Sequence, residues 1–87
     1  MFVETSQRAQ KYLDSLDAHI RERIVTRLKL LEENPVPHDA KFIFRHEGRK
    51  IFRIRIGDHR ALYFYYTERV LIKKIYKRPR IYDRGIF

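Results

Sequence analysis

The sequence predicts an α+β fold in which an N-terminal antiparallel helix pair packs on a three- to four-stranded antiparallel sheet. Apolar residues recur at helical spacing through the first part of the chain, up to Pro35. From residue 41 onward they alternate with polar residues, which is the period of a strand with one buried face. Because the helices precede the strands, we expect them to cover one face of the sheet.

Two helices are predicted before Pro35. Thr5 or Ser6 can cap the first helix, and Asp17 can cap the second. Pro35 ends the second helix because it disfavours helical geometry at the residue before it. The apolar positions of the two helices are Ala9, Tyr12, Leu13 and Leu16, then Ile20, Ile24, Leu28 and Leu31. The short segment FVE ahead of the helices can form an edge strand.

Strand-like segments fill the rest of the chain and are separated by short polar breaks. The breaks are Glu47-Gly48, Gly57-Asp58 and Thr67-Glu68. Two of them contain glycine, as tight hairpin turns require. A chain of this length has little room for a second core, so one domain spanning residues 1–87 is expected.

Positive charge is concentrated in the strand-rich part of the chain. Residues 1–48 hold eight basic and eight acidic residues, whereas residues 49–87 hold twelve basic and three acidic ones. The second part therefore carries the whole formal net charge of +9. This segregation favours a polyanionic partner, with nucleic acid ahead of an anionic membrane or an acidic protein. A role in solubility alone is the alternative.

The composition argues against several classes of protein. The chain has no cysteine, which rules out disulfides and thiolate metal sites. Its apolar runs are too short to span a bilayer, and its N-terminus does not resemble a signal peptide, so a cytoplasmic protein is expected. A glycine-rich phosphate loop and a carboxylate pair are missing, and the histidines lack ligand spacing. We therefore expect no cofactor and no metal.

Arginines are predicted to occupy one face of the sheet. In IFRIRI, Arg53 and Arg55 alternate with apolar residues that should face the helices, so both guanidinium groups should point to the uncovered face. Arg60 begins the next strand beside them. The later stretch YKRPRIYDR brings further candidates back toward the same sheet: Lys77, Arg78, Arg80 and Tyr82. Burial of so many charges would exceed the stability of a small domain, so an anionic ligand is expected.

The order of these segments resembles the RelE/ParE toxin superfamily. Its members carry R-x-R-x-G-[D/N]-[aromatic]-R-x-x-Y on a strand pair, followed by a basic pair and a tyrosine. Here the two elements read FRIRIGDHRALYFY and YKRPRIY, and the helix pair ending at Leu31, Asn34 and Pro35 also matches. The chain departs from the pattern by having Arg53 and Arg55 where lysines are frequent, and His59 where tyrosine is common.

The resemblance implies a RelE-like toxin of a prokaryotic toxin–antitoxin pair, held by a RelB-like antitoxin that wraps it. RelE-like members cut mRNA in the ribosomal A site, whereas ParE-like members poison DNA gyrase. The leading interpretation is a metal-independent endoribonuclease that cleaves mRNA on the ribosome and so inhibits translation. A ParE-like gyrase inhibitor and a non-catalytic RNA-binding module are the alternatives. An arginine and tyrosine set favours the nuclease, because phosphate-transfer chemistry needs it and a protein-binding inhibitor does not.

The expected catalytic residues are Arg60, Arg78 and Tyr82. A guanidinium group can bind two phosphate oxygens and stays charged, which suits Arg60 and Arg78 to stabilising the transition state. Tyr82 is the expected general base, provided that neighbouring arginines lower its pKa. His59 is the rival base, although strand alternation aims it at the opposite side of the sheet, as for a turn histidine without a chemical role.

The other cationic candidates are expected to bind RNA phosphates. They are Arg53, Arg55, Lys77 and Arg80. The two strand arginines could instead solvate an exposed face or pair with acidic antitoxin residues. Tyr63, Tyr65 and Tyr66 could stack on RNA bases, although packing within the sheet is the more common role of strand tyrosines.

Overall fold

The computed structural model describes residues 2–78 of the chain. Two helices, a short 3-10 turn and five strands follow one another along it. In chain order they are β1 (Phe2–Thr5), α1 (Gln7–Asp14), α2 (Ala18–Lys29), the 3-10 turn (Leu30–Glu32), β2 (Lys41–His46), β3 (Arg49–Ile56), β4 (His59–Tyr66) and β5 (Arg69–Lys77). The predicted α+β class, with helices first and strands after, is confirmed.

The sheet has five strands in the order β1-β5-β4-β3-β2, one more than the upper limit predicted. Strands β2 to β5 form the expected antiparallel meander, joined by the three predicted turns. The additional strand is β1, which pairs in parallel with β5 and satisfies backbone groups at that edge. The FVE segment is therefore an edge strand, and its pairing makes the sheet mixed.

The α1 helix begins where the sequence predicts. Ser6 is its N-cap, and the Ser6 Oγ accepts a hydrogen bond from the Ala9 N–H at 3.0 Å. Asp17 occupies the N-cap position of α2 but makes no capping hydrogen bond through its side chain. Backbone N–H groups at the end of the 3-10 turn bond to the Leu30 carbonyl, which closes the helical region just before Pro35.

The main core lies between the helices and one face of the sheet. Leu13, Ile24 and Leu28 of the helices meet Ile54 and Ile72 of the sheet there. Tyr63 belongs to the same core, is 0% exposed, and donates a hydrogen bond from its hydroxyl to the Pro35 carbonyl at 2.7 Å.

The opposite face of the sheet carries a smaller apolar cluster rather than a wholly polar surface. Ile51, Leu62, Phe64 and Tyr76 are its buried members. We call this side of the sheet the open face, because both helices pack on the other side.

A β-bulge at Lys73 changes which side chains of β5 reach the open face. Tyr63 pairs with Ile72 and Leu62 pairs with Lys74, so Lys73 is an extra residue on β5. The Ser6 Oγ donates a hydrogen bond to the Lys73 carbonyl at 2.7 Å, which ties the bulge to the start of α1. Beyond the bulge, Ile75 packs in the main core and Tyr76 packs on the open face.

None of the helices within residues 2–78 is both long enough and apolar enough to cross a membrane.

Candidate functional site

The β3–β4 hairpin brings three arginines together on the open face. Phe52, Ile54 and Ile56 of β3 are buried against the helices, so the residues between them, Arg53 and Arg55, project to the other side, as predicted. Arg55 lies directly opposite Arg60 in the strand register. The turn between these strands can be tight because Gly57 takes a positive φ of 61°.

Arg78 joins this group through the end of β5. Its backbone N–H donates to the Asp58 carbonyl at 2.6 Å, which fixes the end of the strand at the Gly57-Asp58 turn. Tyr76 pairs with Arg60, and Arg78 follows two positions later, one residue beyond the end of β5. We call Arg53, Arg55, Arg60 and Arg78 the arginine cluster.

Mutual repulsion and burial perturb Arg60 at the centre of the arginine cluster. Burial lowers the pKa of the Arg60 guanidinium below its usual value, and the charges of Arg53, Arg55 and Arg78 lower it further. Tyr76 acts in the opposite direction and raises the pKa of Arg60. No carboxylate within residues 2–78 forms an ion pair with any member of the cluster. An anion with several oxygen atoms would relieve this repulsion and accept hydrogen bonds from the guanidinium forks.

His59 does not join the arginine cluster. The residue is 8% exposed, and its ring lies on the helix side, with its centre 5.8 Å from the ring centre of Tyr12. Burial lowers the pKa of the imidazole, the Lys77 charge lowers it further, and the Asp58 charge partly opposes both. The geometry therefore agrees with strand alternation and separates His59 from the expected catalytic arginines.

Lys77 lies apart from the arginines, contrary to the expectation that it converges with them. Lys77 pairs with His59 in the strand register, and both residues line a cavity between α2 and the β3–β4 turn. The cause is alternation after the bulge: Tyr76 faces the open face, so Lys77 faces the helices.

The tyrosines of β4 pack on both faces of the sheet. Tyr63 is wholly buried in the main core, so it packs rather than stacking on bases. Tyr65 packs against the main core, and Tyr66 packs against the open-face cluster.

Sequence reasoning missed Arg49 and Tyr76 on the open face. The Arg49 guanidinium carbon lies 4.6 Å from the ring centre of Tyr66 and 5.5 Å from that of Phe64, as in cation–π contacts. Every second residue of a strand lies on the same face, so the positions of Arg53 and Arg55 would have assigned Arg49 to the open face as well. Tyr76 could not be assigned by counting, because the bulge reverses the alternation along β5.

Arg80 and Tyr82, two further predicted site residues, lie outside the described residues. Among residues 2–78, no group of three or more His, Cys, Asp or Glu side chains is placed to hold a metal ion.

The whole fold is similar to RelE toxins of known structure. The archaeal RelE–RelB complex from Pyrococcus horikoshii gives a TM-score of 0.81 at 26% identity, covering 92% of this chain and 97% of that one. The RelBE2 toxin–antitoxin complex from Mycobacterium tuberculosis gives 0.73 at 26% identity, covering 88% and 96%. The isolated Escherichia coli RelE toxin gives 0.70 at 21% identity, covering 92% and 86%.

Sequence comparison assigns the chain to a family. No curated protein sequence matches the chain. The family model of phage-derived Gp49-like proteins (DUF891) matches residues 11–78, which include the second half of α1, all of α2 and the strands β2 to β5. The chain therefore belongs to the Gp49-like family, and its fold is that of the RelE toxins, as the FRIRIGDHRALYFY strand pair and the later basic segment had indicated.

Proposed function

We propose that this protein is the toxin of a toxin–antitoxin module and a metal-independent endoribonuclease that cleaves mRNA in the ribosomal A site. The observation that carries the proposal is the arginine cluster on the open face of a RelE-like fold. Four guanidinium groups without a carboxylate partner among residues 2–78 suit a polyanionic substrate. Cleavage of translated messages would inhibit protein synthesis.

The reaction needs only groups that a protein and RNA supply. The ribose 2′-oxygen loses its proton and attacks the adjacent phosphorus, and the bond to the 5′-oxygen breaks as that oxygen gains a proton. The products are a 2′,3′-cyclic phosphate and a 5′-hydroxyl end. Arg60 and Arg78 stabilise the negative charge that develops on the phosphate oxygens. Arg53 and Arg55 hold flanking phosphates, because a guanidinium group does not release its proton near neutral pH.

Tyr82 is the proposed general base, and Arg80 is a further phosphate contact. A tyrosine hydroxyl accepts a proton efficiently only when its pKa falls toward the working pH. Nearby guanidinium groups favour the phenolate and would lower that pKa. His59 is a poor candidate because it lies on the helix side of the sheet, against Tyr12.

A RelB-like antitoxin is the proposed protein partner. Structures similar to this chain include RelE–RelB complexes from Pyrococcus horikoshii and Methanococcus jannaschii. Acidic side chains of such a partner could pair with the arginine cluster and block access of RNA to it.

Primer extension after induced expression tests the proposal. Cuts are expected in a translated mRNA and not in the same mRNA without its start codon. The variant R60Q/R78Q should remove the cuts, whereas R45Q, which neutralises an exposed arginine on β2, should retain them. Growth arrest with intact mRNA would contradict the nuclease and direct attention to DNA gyrase. Binding to RNA without arrest or cuts would indicate a non-catalytic module.

A further inference from the structure

A cavity with cationic side chains in its lining lies on the helix side of the sheet, on the face opposite the arginine cluster. It has a volume of about 170 Å³ and separates α2 from the β3–β4 turn. Ile20, Ile24 and Ile56 form its apolar walls. Its polar lining consists of Arg23, Asp58, His59 and Lys77. We call this cavity the α2 notch.

His59 places an unpartnered polar group in the α2 notch. Its side chain is 8% exposed, and its imidazole forms no hydrogen bond within residues 2–78. Within residues 2–78, every side-chain nitrogen or oxygen that is sealed from solvent has a hydrogen-bond partner, so the imidazole nitrogens of His59 are not sealed, and His59 lines the notch. A buried polar side chain without a protein partner loses hydrogen-bond energy unless a ligand or water supplies it.

Two cations stand beside this imidazole. Arg23 forms no ion pair with a carboxylate of residues 2–78, and the same holds for Lys77. The Arg23 guanidinium reaches over the turn, since a β-carbon added to Gly57 would lie 3.5 Å from its Nη2. The Asp58 carboxylate offsets one positive charge, so the notch keeps a net positive charge with His59 neutral.

We propose that the α2 notch binds a phosphate group. Arg23 offers a planar fork, which matches two phosphate oxygens, and Lys77 offers a second positive charge. His59 can donate a hydrogen bond to a third oxygen, and a bound anion would favour its protonated form. The Asp58 carboxylate can accept a hydrogen bond from a hydroxyl group, which suits a phosphate attached to a sugar.

The phosphate could come from an RNA strand or from a free phosphate compound. His59 and Lys77 are the chain neighbours of Arg60 and Arg78, and the two pairs project to opposite faces of the same sheet end. A strand that leaves the arginine cluster can therefore pass around the Gly57-Asp58 turn and reach the notch. Binding of RNA there rests on the proposed function, whereas binding of free phosphate does not.

Titration of the His59 imidazole by NMR tests the proposal with the whole protein. The imidazole resonances are followed near pH 6.5 as inorganic phosphate replaces chloride at constant ionic strength. The His59 resonances are expected to shift saturably with phosphate, and the His59 pKa is expected to rise. The resonances of the exposed His19 in the same spectrum should not shift in this way. R23Q should weaken phosphate binding by about tenfold, because it removes a charged bidentate donor. The charge-matched control R45Q should bind phosphate as the natural protein does.

A second arm uses a short single-stranded RNA with 2′-O-methyl groups, which cannot be cleaved by attack of its own 2′-oxygen. If this RNA shifts the His59 signals in the natural protein and not in R23Q, the ligand is a phosphodiester. Movement by inorganic phosphate alone identifies a free phosphate compound. Signals unmoved by both ligands, or moved equally in R23Q and R45Q, would overturn the proposal. Neither arm depends on RNA cleavage, so failure here is distinct from failure of the nuclease.

Discussion

Neutralising Arg60 should raise the free energy of unfolding, because the members of the arginine cluster repel one another, and should lower the proposed RNA cleavage, because Arg60 is the proposed stabiliser of phosphate charge. Arg60 has Arg55 directly opposite in the register, with Arg53 and Arg78 on the diagonals. Directly opposite side chains lie about 5 Å apart and diagonal ones about 7 to 8 Å. In screened water these spacings correspond to roughly 0.5 kcal/mol for the direct pair and 0.3 kcal/mol for each diagonal pair.

The free energy of unfolding of R60Q at low salt is therefore expected to exceed that of the natural protein by about 1 kcal/mol. For a domain of this size, that change raises the melting temperature by about 4 to 8 °C. The gain should shrink as salt rises, because salt already screens the repulsion in the natural protein. Cleavage of RNA should fall by about 10²-fold or more, through loss of charge stabilisation.

Urea denaturation at low and high salt, paired with a cleavage assay, measures both effects. R69Q is the matched control, because Arg69 pairs with Glu4 at 2.9 Å and stacks on Phe2. That variant should lose stability rather than gain it. A less stable R60Q at both salt concentrations would show that Arg60 supports the fold, and the interpretation of the arginine cluster as a strained anion site would be wrong.

Three further predictions concern residues around this site. Tyr63→Phe should lower the free energy of unfolding by about 1 to 3 kcal/mol, measured by urea denaturation, because the Pro35 carbonyl loses the only side-chain donor described for it. The free energy of unfolding should fall as the pH drops through about 6.5 and below, because the folded state binds the His59 proton less readily than the unfolded state does. The variant His59→Gln should flatten this part of the pH profile, whereas His19→Gln should leave it unchanged. Arg53→Ala should weaken RNA binding at every sequence and reduce the slope of log affinity against log salt by about 1.

Local signals were sufficient to predict most of the fold. Ser6 as the cap of α1 follows from its side-chain chemistry, and the alternation around Arg53 assigns that residue to the correct face. The parallel pairing of β1 was beyond such reasoning, because four residues without a turn signal do not specify a distant partner. It arises from the tertiary structure, where β5 leaves an edge available beside the start of α1.

The bulge at Lys73 explains why the candidate site was only partly predictable. Regular alternation along β5, starting from the buried Ile72, would place Lys74 on the helix side and Lys77 on the open face. The structure has the reverse. The sequence does hold a signal, since the buried residues Ile72 and Ile75 are three positions apart rather than two. In a strand this spacing indicates an inserted residue.

One inserted residue thus determines the chemistry of both faces at this end of the sheet. The bulge places Arg78 beside Arg60 on the open face, and by the same alternation it places Lys77 beside His59 in the α2 notch. Because a register change of one residue would exchange the two basic side chains, the bulge must be held firmly. The hydrogen bond from the Ser6 hydroxyl to the Lys73 carbonyl supplies that restraint, so the cap of a helix controls the position of charges on the far side of the sheet.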